Sequence, residues 1–347
     1  MLAPREFLKG TRYMQLIASI SVTFSVAVTG MFISWSSPAV PLLTGEKEGL
    51  DFKLTTEQTS WVVSGYILGT AIGNAVVGIP TEKLGRRITL LLGAPLYFLC
   101  WIGIIFSKDF YMLLISRMIG GIGSSTAFVC CSLYIGEIAD KDLRGRLASA
   151  MSVLKLSGNL YVLSVGPFMS YYALAWSCSV IPVLLFVALL LMPESSYYHL
   201  KRGNVEKARA SLVWFAASTT TNQEIEEKLE SIKDGVDKDM RNKSSLKELF
   251  TSKIHRKAVV AIIGLKFLQQ LCGITAIESY MQTIIQQSGS SLSGDLSSII
   301  FGIVQFVGEI HGFNIFEMHL GHLVVLYVHV CQTNGWQLHL LSEISNF

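Results

Sequence analysis

Charge is what this sequence has least of. Of its 347 residues only 15% are Asp, Glu, Lys or Arg, against roughly 25% in a soluble domain. Hydrophobic residues make up 51% and the mean hydropathy is +0.47, so too little polar surface exists to clothe a soluble two-domain enzyme of this length. An excess of one sign is lacking as well. Lys and Arg number 28 against 25 Asp and Glu, and the cations are sorted along the chain rather than gathered on a face, which excludes a nucleic-acid partner. The six cysteines (Cys100, Cys130, Cys131, Cys178, Cys272, Cys331) have neither metal-ligand nor disulfide-framework spacing, and most sit in apolar runs as small hydrophobes. No phosphate loop, nucleophile–base pair or metal cluster stands out, so the chain is expected to be no enzyme, with no catalytic residue, metal or cofactor. A small-x-small cleavage site is missing after the first apolar run, which therefore reads as a retained span.

What is present is a series of apolar runs long enough to cross about 30 Å of hydrocarbon. They fall near 13–34, 61–80, 88–106, 111–135, 147–169 and 171–192, and after a polar stretch at 193–257 come a span near 258–280 and a shorter run near 296–308. The connections 1–12, 81–87, 136–146 and 193–257 hold 3, 3, 3 and 13 Lys and Arg, whereas 35–60, 107–110 and 170–175 hold 2, 1 and 0. Cations collect on the cytoplasmic side, so the N-terminus is expected to be cytoplasmic, with six spans before a large cytoplasmic loop. That loop carries 13 basic and 10 acidic residues and helix-like stretches at Asn204–Phe215 and Gln223–Lys233. Six spans, a cytoplasmic loop and further spans form the plan of a transporter with two halves, not of a seven-helix receptor.

The most informative motif is Gly78-x-x-x-Glu82-Lys83-x-Gly85-Arg86-Arg87, in the connection after the second span. In so short a link Gly85 permits a tight reversal, and the cations sit where helix C-termini and carboxylates can hold them. This pattern resembles the signature loop of the major facilitator superfamily. Other segments resemble its sugar porter branch: Trp35-Ser36-Ser37-Pro38-Ala39, Arg117-x-x-x-Gly121 followed by Tyr134-x-x-Glu137 and Arg144-Gly145, Pro193-Glu194-Ser195, and Gln269-Gln270-Leu271-Cys272-Gly273-Ile274. The likeness runs from about residue 13 to 307, and the loop and span lengths look most like facilitative hexose or trehalose transporters.

The resemblance implies an all-α membrane protein of the major facilitator fold, a facilitated carrier working by alternating access in which two bundles rock around a sugar held at the midplane. Its organisation would be a six-helix bundle (1–192), a cytoplasmic helical loop (193–257), the start of a second, incomplete bundle (258–308) and a non-homologous tail (309–347). Glu82, Gly85, Arg86, Arg87, Arg117, Glu137, Arg144 and Glu194 would set the conformational balance, with cytoplasmic ion pairs among Arg86, Arg87, Glu137, Arg144 and Glu194 holding the outward-open state. Gln269, Gln270 and Thr275 would bind the substrate. An amide both donates and accepts, as a sugar hydroxyl does, and two adjacent glutamines in an apolar helix should face a cavity. Neighbouring helical residues point about 100° apart, so all three residues can line one cavity only if the helix unwinds near Gly273.

Three positions depart from the branch's pattern: Thr275 stands where it has Asn, Ser152 where it has a fifth-helix Gln, and Tyr197 where it has Arg. Lys155 and Lys266 lie inside spans and should snorkel or border a wet cavity. Glu278 has no acidic partner in 13–34, where the branch's proton-coupled members carry one, so the resemblance speaks against proton coupling. After Val307 the expected second Gly-Arg-Arg loop is absent. Residues 309–347 hold no Lys or Arg but five of the seven histidines, and read as translated non-homologous sequence. Three functions stay open: a facilitator of a hexose or trehalose in the plasma membrane, a carrier of another polar solute, and a non-transporting product that pairs at most with a full-length carrier. The expected partners are the sugar substrate and the lipid bilayer.

Overall fold

The computed structural model describes residues 13–45, 50, 52–216, 220–241, 270–288 and 293–318, together with 259, 260, 263, 264, 267 and 268. In chain order the helices are α1 (Tyr13–Thr44), α2 (Thr56–Val76), α3 (Gly78–Lys83), α4 (Arg86–Phe106), α5 (Phe110–Ile138), α6 (Lys141–Val165), α7 (Tyr171–Leu191), α8 (Ser196–Lys201), α9 (Val205–Phe215), α10 (Asn222–Arg241), α11 (Ile274–Gln287) and α12 (Gly294–Met318), with a 3-10 turn at Gly166–Phe168. No strand occurs among the described residues. Helices Met14–Thr44, Thr56–Lys83, Arg86–Phe106, Phe110–Ile138 and Tyr171–Leu191 are long and apolar enough to cross a membrane. Backbone groups find no water in hydrocarbon, and a helix satisfies them within one segment. The chain is a multi-pass membrane protein.

Local chemistry sets the boundaries. Thr55 and Gln58 form a reciprocal capping box at the start of α2, with N–H to side-chain distances of 3.0 and 3.2 Å, and Thr221 with Glu224 repeats it for α10 at 2.8 and 3.3 Å. Such boxes satisfy two orphan donors at a helix start. Asp109 accepts from the Met112 N–H at 2.8 Å to begin α5. Within α1 the hydroxyls of Ser21, Thr23, Ser25 and Thr29 donate to carbonyls three or four residues back, which satisfies them in apolar surroundings.

Several expected bounds shift, among them that of the first span, expected at 13–34, whose helix runs on to Thr44, and that of the second, expected from 61, which begins at Thr56. The fifth apolar run, expected at 147–169, belongs to a helix that begins at Lys141, because the charged segment Lys141–Arg146 is itself helix-competent. The eighth, expected at 296–308, is the middle of a helix that runs on to Met318. The loop helices arise where expected, with Asn204 as the N-cap of α9 and α10 continuing past Lys233 to Arg241. Residues 242–258 and 319–347, and so most of the tail, lie outside the described residues.

The chain divides into two compact units, each built from segments distant in sequence. One comprises 1–29, 60–155 and 175–242, the other 30–59, 156–174 and 243–347. In the first unit α4 packs along α5, and α2 meets α5 at backbone distance: a Cβ on Gly69 would lie 2.1 Å from the Met118 carbonyl oxygen, and one on Gly121 2.2 Å from that of Tyr66. Close approach of this kind is what small residues allow where water gives helices no hydrophobic push together. The loop helices α8, α9 and α10 bury Leu200, Ala208, Leu212, Ile225, Leu229 and Val236 among themselves. In the second unit α11 packs on α12, and Leu163, Met281, Ile285 and Phe301 form an apolar cluster with Ile277 beside it.

Candidate functional site

Two constellations of polar side chains stand out, one in each unit. The first is built around the reversal between α3 and α4. Gly85 takes φ +101, and a Cβ there would fall 2.4 Å from Glu194 Oε2, so both backbone conformation and space demand glycine. Glu194 then reaches the exposed N–H groups at the start of α4: Arg86 N donates to its Oε1 at 3.1 Å, and Arg87 N to its two oxygens at 3.2 and 3.1 Å. A carboxylate here meets both the orphan donors and the positive end of the helix dipole. Burial pushes the Glu194 carboxyl above the usual range, while hydrogen bonds from the backbone N–H groups of Ser195, Arg87 and Arg86 pull it part of the way back.

The Arg86 guanidinium turns to Glu137 at the end of α5, with Nη2 at 2.7 Å and Nε at 2.9 Å from Oε1. Its Nη1 donates to the Thr81 carbonyl at 3.2 Å, and it lies 5.8 Å from the Tyr197 ring centroid. Glu137 also accepts a short bond from the Ser195 hydroxyl, so α4, α5 and the start of α8 are tied through one carboxylate. Arg87 donates to the Leu189 and Leu190 carbonyls at 2.8 Å each, placing a cation on the C-terminus of α7.

The expected ion pairs are thus resolved one by one. Arg86 pairs with Glu137, whereas Glu194 is held by backbone N–H groups and Arg87 by carbonyls. Glu82 is exposed and pairs with Lys201 at 3.4 Å. Arg117 is buried in α5 with its guanidinium 5.0 Å from the Tyr66 ring centroid. Arg144 makes no ion pair among the described residues. It lines a cleft of about 470 Å³ between α1, α5 and α6, together with Ser152, Lys155 and the apolar side chains of Val26, Phe128 and Met151. Lys155 therefore borders a cavity, and Ser152 shares it.

The second constellation lies in the other unit. The Ser34 hydroxyl of α1 donates to Asn159 Oδ1 of α6. Asn159 Nδ2 donates to Gln305 Oε1 of α12 at 2.9 Å, and Gln305 Nε2 donates to Glu278 Oε1 of α11 at 2.9 Å. Four helices are joined by one run of hydrogen bonds ending on a carboxylate, and Asn159 is only 2% exposed. One turn further along α1 and α11, the Gln282 N–H donates to the Ser37 hydroxyl at 3.4 Å, and Gln282 Nε2 donates to Asp295 Oδ1 of α12.

Of the residues expected to bind substrate, Gln269 lies outside the described residues, as does Lys266. Gln270 is exposed and Thr275 half-buried. The expected unwinding is present: Gly273 adopts φ +68 ahead of α11, and Tyr280 departs from helical geometry within it at φ −118, ψ 16. Sequence reasoning passed over Ser34, Asn159 and Gln305. The signal was available, since an amide alone in an apolar span is as costly to leave unpaired as the glutamine pair.

Comparison with known proteins agrees with this plan. The family model described as "Sugar (and other) transporter" matches residues 12–321, so the likeness continues past Val307, where the motifs give out. A facilitated trehalose transporter of Apis mellifera ligustica is 31% identical over 317 residues, covering 91% of this chain and 62% of the relative. Another from Bombyx mori is 30% identical, covering 90% and 60%. The chain spans about three-fifths of the length of these curated relatives, which are named as transporters and not as enzymes. Among solved structures, the partially occluded inward-open xylose transporter XylE from E. coli superposes with a TM-score of 0.71 at 19% identity, covering 95% of this chain and 88% of that one. A second structure of XylE, bound to 6-bromo-6-deoxy-D-glucose, also gives 0.71 at 19% identity, with 93% and 79% covered. This likeness establishes the major facilitator fold, and with the family match over most of its length the chain belongs to the sugar transporter family.

Proposed function

We propose that the chain carries a sugar across a membrane by facilitated alternating access and is not an enzyme. The observation that carries this reading is the buried run Ser34–Asn159–Gln305–Glu278. Amides, a hydroxyl and a carboxylate converge from four helices in a chain otherwise made to sit in hydrocarbon. Each can exchange its neighbour's hydrogen bond for one with a sugar hydroxyl, so the site accepts a polyol without leaving a polar group bare. The relatives named as facilitated trehalose transporters support a neutral sugar as cargo.

The cluster at Gly85, Arg86, Glu137 and Glu194 is the conformational lock of this reading. It sits among the cation-rich connections, which supports a cytoplasmic location for it and for the N-terminus. The plasma membrane is the home we assign. A contact shifts a conformational equilibrium only by its difference between states, so a pair that forms in one state biases the carrier toward that state.

Tracer uptake of glucose and trehalose by cells expressing this chain tests the reading, with surface labelling as control. Saturable uptake that falls at least ten-fold in Asn159→Leu and Gln305→Leu supports it. Uptake equal to that of untransfected cells, despite surface expression, refutes transport by this chain alone. Repeating the measurement beside a full-length relative reads whether the chain acts through pairing, by gain or loss of the relative's own uptake.

A further inference from the structure

The cleft of about 470 Å³ between α1, α5 and α6 lies wholly within the first unit and takes no part in the Ser34–Asn159–Gln305–Glu278 run. From α6 it is lined by Arg144, Ala148, Met151, Ser152 and Lys155, a spacing that keeps these positions on one helix face. The facing wall comes from α5, where the Ser132 hydroxyl donates to the Phe128 carbonyl at 2.7 Å. The same oxygen lies 4.0 Å from Met151 Sδ, so α5 and α6 touch at this level. Phe128 is 39% exposed, and the cleft is therefore open to its surroundings and not sealed.

The charge of the cleft is one-sided. Arg144 and Lys155 line it and no carboxylate does, and neither cation forms an ion pair among the described residues. Lys155 stands about 16 Å beyond Arg144 along α6, at a depth where an ammonium without a counter-charge is costly. Helical side chains lean toward the N-terminus of their helix, which carries the Lys155 stem back toward the level of Arg144. Between the two cations the wall is mostly apolar, made by Val26, Phe128, Ile135 and Met151.

We infer that this cleft binds a phosphate carried on an apolar body, and that its occupant is an anionic phospholipid. Two cations and the Ser152 hydroxyl are donors that call for an anion with several acceptor oxygens, which a phosphodiester supplies. The apolar wall calls for hydrocarbon beside that anion, which a lipid brings and a free phosphate does not. The Arg144 end belongs to the cation-rich connection 136–146, on the side read as cytoplasmic, where anionic lipids collect. The choice of leaflet rests on that reading. The binding itself depends neither on it nor on sugar as cargo.

Native mass spectrometry of the purified full chain in neutral detergent, titrated with lipid, tests this. Dioleoylphosphatidylglycerol should bind about 25-fold more tightly than dioleoylphosphatidylcholine, about five-fold for each cation. Lys155→Met and Arg144→Gln should each lose about five-fold for phosphatidylglycerol and nothing for phosphatidylcholine, whereas Lys155→Arg keeps the charge and the affinity. Arg209→Gln, at an exposed cation of α9 paired with Glu226, is the control and should change neither. Equal affinity of the wild-type chain for the two lipids overturns the inference. So does unchanged phosphatidylglycerol affinity in both cation variants. Displacement of phosphatidylglycerol by an equal concentration of glycerol 3-phosphate overturns the lipid as occupant, since phosphate alone is then recognised. Should Lys155→Met not fold, Arg144→Gln, at an exposed position, decides alone.

Discussion

At the scale of single residues the Gly78–Arg87 motif separates into positions with large and small consequences. Gly85 combines a left-handed φ with a carboxylate where its Cβ would be. Gly85→Ala is expected to cost about 1–3 kcal/mol, read as a lowered melting temperature of the detergent-purified chain. Arg86 and Glu137 are nearly enclosed, with side chains 7% and 12% exposed. Removing one partner of an enclosed pair leaves a charge without compensation, so Glu137→Ala should cost about 3–5 kcal/mol. Glu82, 72% exposed in its pair with Lys201, provides the contrast: Glu82→Ala should change stability by less than about 0.5 kcal/mol. Similar losses in the two variants would contradict the burial argument. The motif's residue types were legible in the sequence, but the division of labour was not. Spacing alone cannot say that Glu194 would meet backbone N–H groups instead of a guanidinium, because that depends on how α4 begins relative to the end of α7.

At the scale of elements, the loop helices illustrate what patterning carries. Asn204–Phe215 and Gln223–Lys233 read as helices from their composition, and α9 and α10 stand there with a shared apolar core. Their attachment was not legible. Gln15 of α1 donates from Nε2 to the Asp140 carboxylate at 3.2 Å and to the Phe215 carbonyl at 3.3 Å, and Lys228 pairs with Asp140 at 2.5 Å. On α8, His199 is held below its ordinary value of 6.5 by burial first and by the Lys207 charge second. A base with a depressed pKa binds fewer protons folded than unfolded, so stability rises with pH through this window. Acidification from pH 7.5 to 5.5 should therefore lower the melting temperature, and His199→Gln should reduce that drop. An identical drop in the variant would show that His199 is not responsible.

At the scale of the whole molecule, a charge-poor chain with sorted cations and one signature loop already indicated a helical membrane protein, because hydrocarbon permits so few architectures. The site was harder to read. Gln269 and Gln270 attracted attention as an adjacent pair, while Asn159 and Gln305 were single amides in separate spans, 146 residues apart. Whether such residues face lipid, another helix or each other is decided by packing between distant segments, which periodicity within one helix does not encode. The break at Gly273 was inferable, since only an interrupted helix could turn its glutamines and Thr275 toward one cavity. The structure supplies that break, and the buried amide network it describes lies beyond it, at Glu278 and Gln282.

Counterflow in proteoliposomes containing only the purified chain tests the central claim most directly. Vesicles loaded with unlabelled sugar should transiently accumulate external tracer sugar above equilibrium, and Gln305→Leu should abolish the overshoot while the Glu82→Ala chain retains it. Tracer entry no faster than into protein-free vesicles, or an overshoot unchanged in Gln305→Leu, would contradict a sugar path through the Ser34–Asn159–Gln305–Glu278 run.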